Sequence, residues 1–99
     1  MYSEPWNDIE DYGSSHKLAL LTEIVAELSI GHVLYGKNIE ILAKREDRDD
    51  VLVKSEGKYF IVHLTWSNSK EVLPYPKTEL YDSVELLRKK LEKDTNYFG

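Results

Sequence analysis

The stretch from Lys58 to Trp66 constrains the fold more than any other part of the chain. Phe60, Val62, Leu64 and Trp66 fall at every second position and are all apolar, while Tyr59, Ile61, His63 and Thr65 between them are mixed. Alternation with period two marks a β-strand, whose successive side chains point to opposite faces. A strand this apolar on both faces needs paired neighbours and cover. The neighbours are close at hand. Val51, Val53 and Ser55 alternate with Leu52 and Lys54, and Glu56-Gly57 makes a two-residue hairpin link in which Gly tolerates positive φ. Before them Ile39, Ile41 and Ala43 point one way and Glu40, Leu42 and Lys44 the other, across the polar turn Glu46-Asp47-Arg48-Asp49-Asp50. Short connections predict an antiparallel three-stranded meander with the second strand in the middle.

Helical periodicity flanks the meander. Ser14 or Ser15 can cap a first helix over residues 15–29, with a stripe of Leu18, Leu21, Val25 and Leu28 widened by Leu20 and Ile24, and Gly31 as its stop. Ser67 to Lys77 reads as a loop broken by Asn68, Pro74 and Pro76. Thr78 then caps a second helix whose stripe is Leu80, Val84, Leu87 and Leu91, with Tyr81 alongside. The expected fold is α+β in the order α-β-β-β-α, one domain over residues 14–94. Residues 1–13 read as a flexible or loosely docked acidic tail that also carries Trp6, Ile9 and Tyr12, and residues 95–99 as a frayed end.

The helices should pack on the face formed by Ile39, Ile41, Val51, Val53, Phe60, Val62, Leu64 and Trp66. The opposite face still shows Leu42, Leu52, Tyr59 and Ile61, too apolar to stay wet. Three covers suit it: a helix crossing to that side, the N-terminal tail through Trp6 and Tyr12, or a second copy of the chain. Partial cover by another chain is the favoured expectation, which makes those four residues a candidate interface and the chain a candidate homodimer.

Composition narrows the function classes. The chain has 99 residues, room for one domain, and no cysteine, so neither a disulfide framework nor a thiolate metal site can form. Its net charge of −5 speaks against nucleic acid, because neutralising phosphates needs surplus Lys and Arg. Arg88, Lys89, Lys90 and Lys93 are interleaved with Glu85, Glu92 and Asp94 and read as a solvated helix face. No run approaches the ~20 apolar residues of a membrane span, and the start lacks the pattern of a signal peptide, so a cytoplasmic protein is expected. Gly-x-Ser-x-Gly and phosphate-cradling glycine loops are absent from the sequence.

The acidic turn fails as a calcium loop: an EF-hand would need Gly where Leu52 stands. His63 lies mid-strand beside Thr65, with His32 in the linker and His16 opening the first helix. Imidazole titrates near neutrality, so two of these histidines with Asp49 or Asp50 could form an acid–base pair or a metal site, although no ligand spacing supports the latter. The alternative is a hydrogen-bonded structural histidine. Tyr35, Tyr59, Trp66, Tyr75 and Tyr81, from a complement of eleven aromatics, read either as core edge or as a recognition surface.

Three stretches taken together, His32-Val33-Leu34-Tyr35-Gly36, Asp49-Asp50-Val51-Leu52 and Ile61-Val62-His63-Leu64-Thr65-Trp66, give the chain a likeness over residues 20–87. It resembles a family of small uncharacterised bacterial proteins with a His-Pro-Leu-Tyr-Gly-like motif, an Asp-Asp-Val-Leu turn and a His-Leu-Thr-Trp strand end. Val33 stands where that pattern has Pro. The resemblance implies no activity; it marks His32, Tyr35, Asp49, Asp50, His63, Thr65 and Trp66 as one candidate constellation.

Two functions follow as expectations. The first is a small non-catalytic binding module without cofactor or metal, an accessory or immunity-type protein of the bacterial cytoplasm with a basic protein partner. The alternative is a small hydrolase or metal-dependent enzyme using His63, His32 and Asp49 or Asp50, which requires the two histidines to share a pocket.

Overall fold

The computed structural model describes residues 2–98. Five antiparallel strands lie side by side in chain order: β1 (Trp6–Asp8), β2 (Glu40–Arg45), β3 (Asp50–Ser55), β4 (Lys58–His63) and β5 (Thr78–Tyr81). Helix α1 (Ser14–Glu27) follows a short 3₁₀ turn at Ile9–Asp11, and α2 (Val84–Phe98) closes the chain. The expected meander is β2-β3-β4, and it is extended by one strand at each edge. Glu56 and Gly57, both at positive φ, make the β3–β4 link as expected. The cover of the second face differs from expectation.

Leu20, Ile24 and Leu28 pack with Ile41, Val51, Val53, Phe60 and Val62 on one face, whereas Leu87 and Leu91 pack with Trp6, Leu52 and Ile61 on the other. The sheet is therefore sandwiched between its own two helices. Leu52 and Ile61, placed at a candidate interface, are fully buried under α2, and Leu42 and Tyr59 are half-buried against the same cluster. Cover by a second chain is not needed there. The acidic N-terminal segment supplies β1, and Trp6 is buried at 1% exposure.

Local features account for the differences. In sequence, residues 78–81 suit the opening of a helix because Leu80 stands in step with Val84, Leu87 and Leu91. Instead they pair with β4, Phe60 opposite Leu80 and Ile61 opposite Glu79. The helix begins after Ser83, whose Oγ accepts from the Leu86 amide at 3.2 Å. It continues past Asp94 to Phe98. In β2, Ile41 faces Val53 but Ala43 faces Leu52, so Leu42 is the extra residue of a bulge. The bulge turns Ala43 away from Ile41 and onto the α2 face, where it meets Leu52 and Ile61.

In α1 the buried positions are Leu20, Glu23, Ile24 and Glu27. Leu18 and Val25, expected in the buried stripe, are exposed. Gly13 rather than Ser14 or Ser15 occupies the cap position, without a side-chain bond.

Candidate functional site

The register of the sheet builds a row of polar side chains on the α2 face. Asp50 opens β3 directly opposite His63, the last residue of β4, and Glu79 faces the neighbouring Ile61 from β5. The Leu64 amide donates to the Asp49 carbonyl, so Asp50 and His63 form the non-hydrogen-bonded kind of antiparallel pair, in which side chains lie closest. His63 Nδ1 is 2.7 Å from Asp50 Oδ1, and its Nε2 is 2.7 Å from Glu79 Oε2. The Tyr81 hydroxyl donates to the other Glu79 oxygen at 2.6 Å.

Both ring nitrogens of His63 lie 2.7 Å from carboxylate oxygens, an arrangement that favours the doubly protonated imidazolium. The hydrogen bond to Asp50 holds its pKa above the ordinary histidine range, with Glu79 adding to it against the opposing pull of burial. Burial would raise Glu79, but the bonds from Tyr81 and His63 outweigh it and leave that carboxyl below its usual range. Burial and the neighbouring Glu79 push the Tyr81 phenol up. Asp50 and Glu79 set two carboxyl groups against one imidazole in this row.

His63 and Glu79 form one wall of a cleft of about 520 Å³, completed by Gly31, His32, Val33, Leu73, Pro74, Lys77 and Thr78. The cleft lies where the α1–β2 linker and the β4–β5 loop meet the start of β5. Gly31, at φ +99°, lets the linker turn, and a Cβ there would stand 3.0 Å from Leu73 Cδ1. His32 lines the same cleft but is occupied otherwise. Its Nδ1 accepts from the Leu34 amide at 3.1 Å, so its Nε2 carries the hydrogen and donates to the Pro76 carbonyl at 2.8 Å. It clasps the linker to the end of the β4–β5 loop.

The β4–β5 loop, which gives Leu73, Pro74 and Lys77 to the cleft, is anchored by two acids within the buried stripe of α1. Glu27 accepts from the amides of Thr65 (3.0 Å) and Trp66 (2.9 Å), and Glu23 accepts from the amide of Asn68 (3.0 Å). Trp66 and Asn68 both sit at φ +58°, the left-handed conformation that turns their N–H groups toward the acids. The Lys70 ammonium and the Glu71 amide cap the Leu28 and Glu27 carbonyls at the end of α1. Burial first, and the adjoining Glu23 second, push Glu27 up to about 6 against the lowering effect of the amides.

The expected constellation thus divides. Asp50 and His63 meet; His32 shares their cleft through a separate bonding set. Thr65 and Trp66 belong to the α1 anchor, with the Thr65 hydroxyl donating to Glu71 at 2.6 Å. Tyr35 lies on the surface under the Lys70 ammonium, 5.6 Å from its ring centre, and Asp49 is exposed and contributes its backbone carbonyl. Glu79, Tyr81, Glu23 and Glu27 join the site without having been expected in it. The sequence does carry a signal for the last two: positions 20, 23, 24, 27 and 28 form one helical face. No comparable signal marks Glu79, because its strand has the spacing of a helix.

Among the described residues no group of three or more His, Asp or Glu is placed to hold a metal ion, and no helix is long and apolar enough to cross a membrane. No protein-family model, curated protein or solved structure matches the chain.

Proposed function

We propose that the chain is a non-catalytic binding module that engages a protein partner through the cleft beside β5. One observation carries this reading: the cleft's walls and rim are apolar and open. Val33 and Leu73, which line the cleft, are about half exposed, as is Leu80 in the adjoining hollow; Ile30 and Val72, sequence neighbours of the lining residues Gly31 and Leu73, are about four-fifths exposed. Apolar surface gathered at one site marks an interface more often than scattered single residues do. The net charge of −5 favours a basic partner. Small size, acidic charge, seven tyrosines and a sequence without catalytic motifs fit an accessory or immunity-type role in the bacterial cytoplasm. The protein itself, immobilised beside a Val33→Asp/Leu73→Asp variant of unchanged circular dichroism, tests this. A partner retained by the first and lost by the second is the expected result; identical retention by both overturns it.

The Asp50–His63 pair at the cleft wall favours one second reading, a His-dependent hydrolase. It would need Glu79 to swing off Nε2 so that the ring could accept a proton. Ester turnover that appears in Glu79→Gln and vanishes in Glu79→Gln/His63→Ala would support it.

A further inference from the structure

The two edges of the sheet are finished differently. At β1 the edge is three residues long, follows Pro5 and runs into Asp8, Glu10 and Asp11, the short charged ending that discourages further pairing. At β5 the strand is four residues long, carries Glu79 between Lys77 and Asp82, and has exposed apolar neighbours in Val33, Leu73 and Leu80. The His63 amide donates to the Lys77 carbonyl, so in the antiparallel alternation Glu79 and Tyr81 bond to β4. The N–H and C=O groups of Thr78 and Leu80 therefore point away from the sheet. The cleft opens along this same edge, and a second hollow bounded by Val33, Lys37, Phe60 and Leu80 continues it.

Resting on the binding reading above, we infer that β5 accepts an extended segment of the partner as a sixth strand, and that this segment alternates apolar and basic residues. Side-chain geometry sets the alternation. Partner residues opposite Thr78 and Leu80 point to the α1 side, where Val33 and Leu80 offer apolar contact. Those opposite Glu79 point to the α2 side, toward a half-exposed carboxylate in a row that sets two carboxyl groups against one imidazole. Backbone hydrogen bonds would supply affinity and the alternate side chains specificity. A basic side chain on the α2 side is the one charge complementarity selects.

The probe is a capped hexapeptide of alternating lysine and valine, titrated into the ¹⁵N-labelled protein. A block isomer of the same composition and a copy N-methylated on the amides that would face β5 serve as comparisons. The expected result is saturable shifts and slowed hydrogen exchange at Thr78 and Leu80 with the alternating peptide only. Leu80→Pro removes an outward donor that β4 does not use, so it should weaken binding about tenfold, the loss of one or two backbone hydrogen bonds. The N-methylated peptide removes donors from the other strand of the same pairing and leaves the protein unaltered. Equal binding by the block isomer or the methylated peptide, shifts confined to another surface, or no shift at all overturns the inference. Concentration-dependent shifts at Thr78 and Leu80 without peptide also overturn it, because the edge then belongs to a second copy. Loss of a partner in Val33→Asp/Leu73→Asp alongside these negative results would leave the binding reading standing and remove only strand addition.

Discussion

The face of the sheet under α1 and the face under α2 are closed by different chemistry. Under α1, Leu20, Ile24 and Leu28 meet a continuous apolar surface from β2, β3 and β4, and the two buried acids sit at its rim, turned to the loop. Under α2, the helix supplies only Leu87 and Leu91 to the buried cluster. Charged groups complete the docking. Asp94 accepts from Trp6 Nε1 at 2.9 Å and pairs with Arg45 at 3.2 Å and Lys90 at 2.9 Å, while Arg45 also reaches Asp47 at 2.6 Å. Arg45 is 1% exposed and Asp94 5%. Burial alone would raise Asp94, but its bonds from Lys90 and Trp6 and the Arg45 charge hold it below its usual range. One face depends on shape, the other on paired charge.

That contrast can be broken by substitution. Leu20→Ala should cost the most, about 4 kcal/mol, because it leaves a cavity in a dry region that cannot collapse onto other side chains. Urea unfolding measures it. Asp94→Ala should cost about 3 kcal/mol, since it leaves the buried Arg45 guanidinium with Asp47 as its one carboxylate and takes the acceptor from the Trp6 indole N–H. Adding Arg45→Met to Asp94→Leu should recover most of that loss, because burying an ion pair carries its own desolvation cost. If Asp94→Ala unfolds at the same urea concentration as the parent, the two faces are not distinct in kind.

The titrating groups sharpen the comparison. Glu27 has a folded pKa of about 6 against 4.5 for the free side chain, so the folded state binds its proton more tightly. Stability should therefore fall as pH rises from below 4.5 to above 6, by roughly 2 kcal/mol over the whole span, and Glu27→Gln should flatten that slope. His63 is raised through its partners, so its contribution is full below the unfolded value near 6.5 and is lost as pH rises through the folded one. The gap in urea midpoint between the parent and His63→Gln should narrow on going from about pH 6 to about pH 9. This is the smallest of the effects.

Much of this fold is legible in residue order. The β2-β3-β4 meander follows from alternation, and the hairpin at Glu56-Gly57 from turn chemistry. β1 is hidden because three residues are too few for a period to show, even though Trp6 in an acidic tail hints at burial. β5 is hidden because Leu80 suits both a strand and the heptad-like run to Leu91. The bulge at Leu42 leaves no mark in the pattern and moves Ala43 across the sheet. Of the site, Asp50 with His63 can be anticipated as a pair. Its completion by Glu79 cannot, since it depends on a strand whose pairing partner lies across an irregular loop.

His63 holds the centre of the site in the cleft wall, each ring nitrogen 2.7 Å from a carboxylate oxygen, and the binding reading takes it as a doubly bonded cation. A ¹⁵N-detected imidazole titration of the intact protein reads this directly. The expected result is two protonated ring nitrogens at about pH 7 and a midpoint above the ordinary value near 6.5, moving down in Asp50→Asn. A ring that is neutral at neutral pH, with a free lone pair on Nε2, would contradict it and return His63 to the candidates for acid–base chemistry.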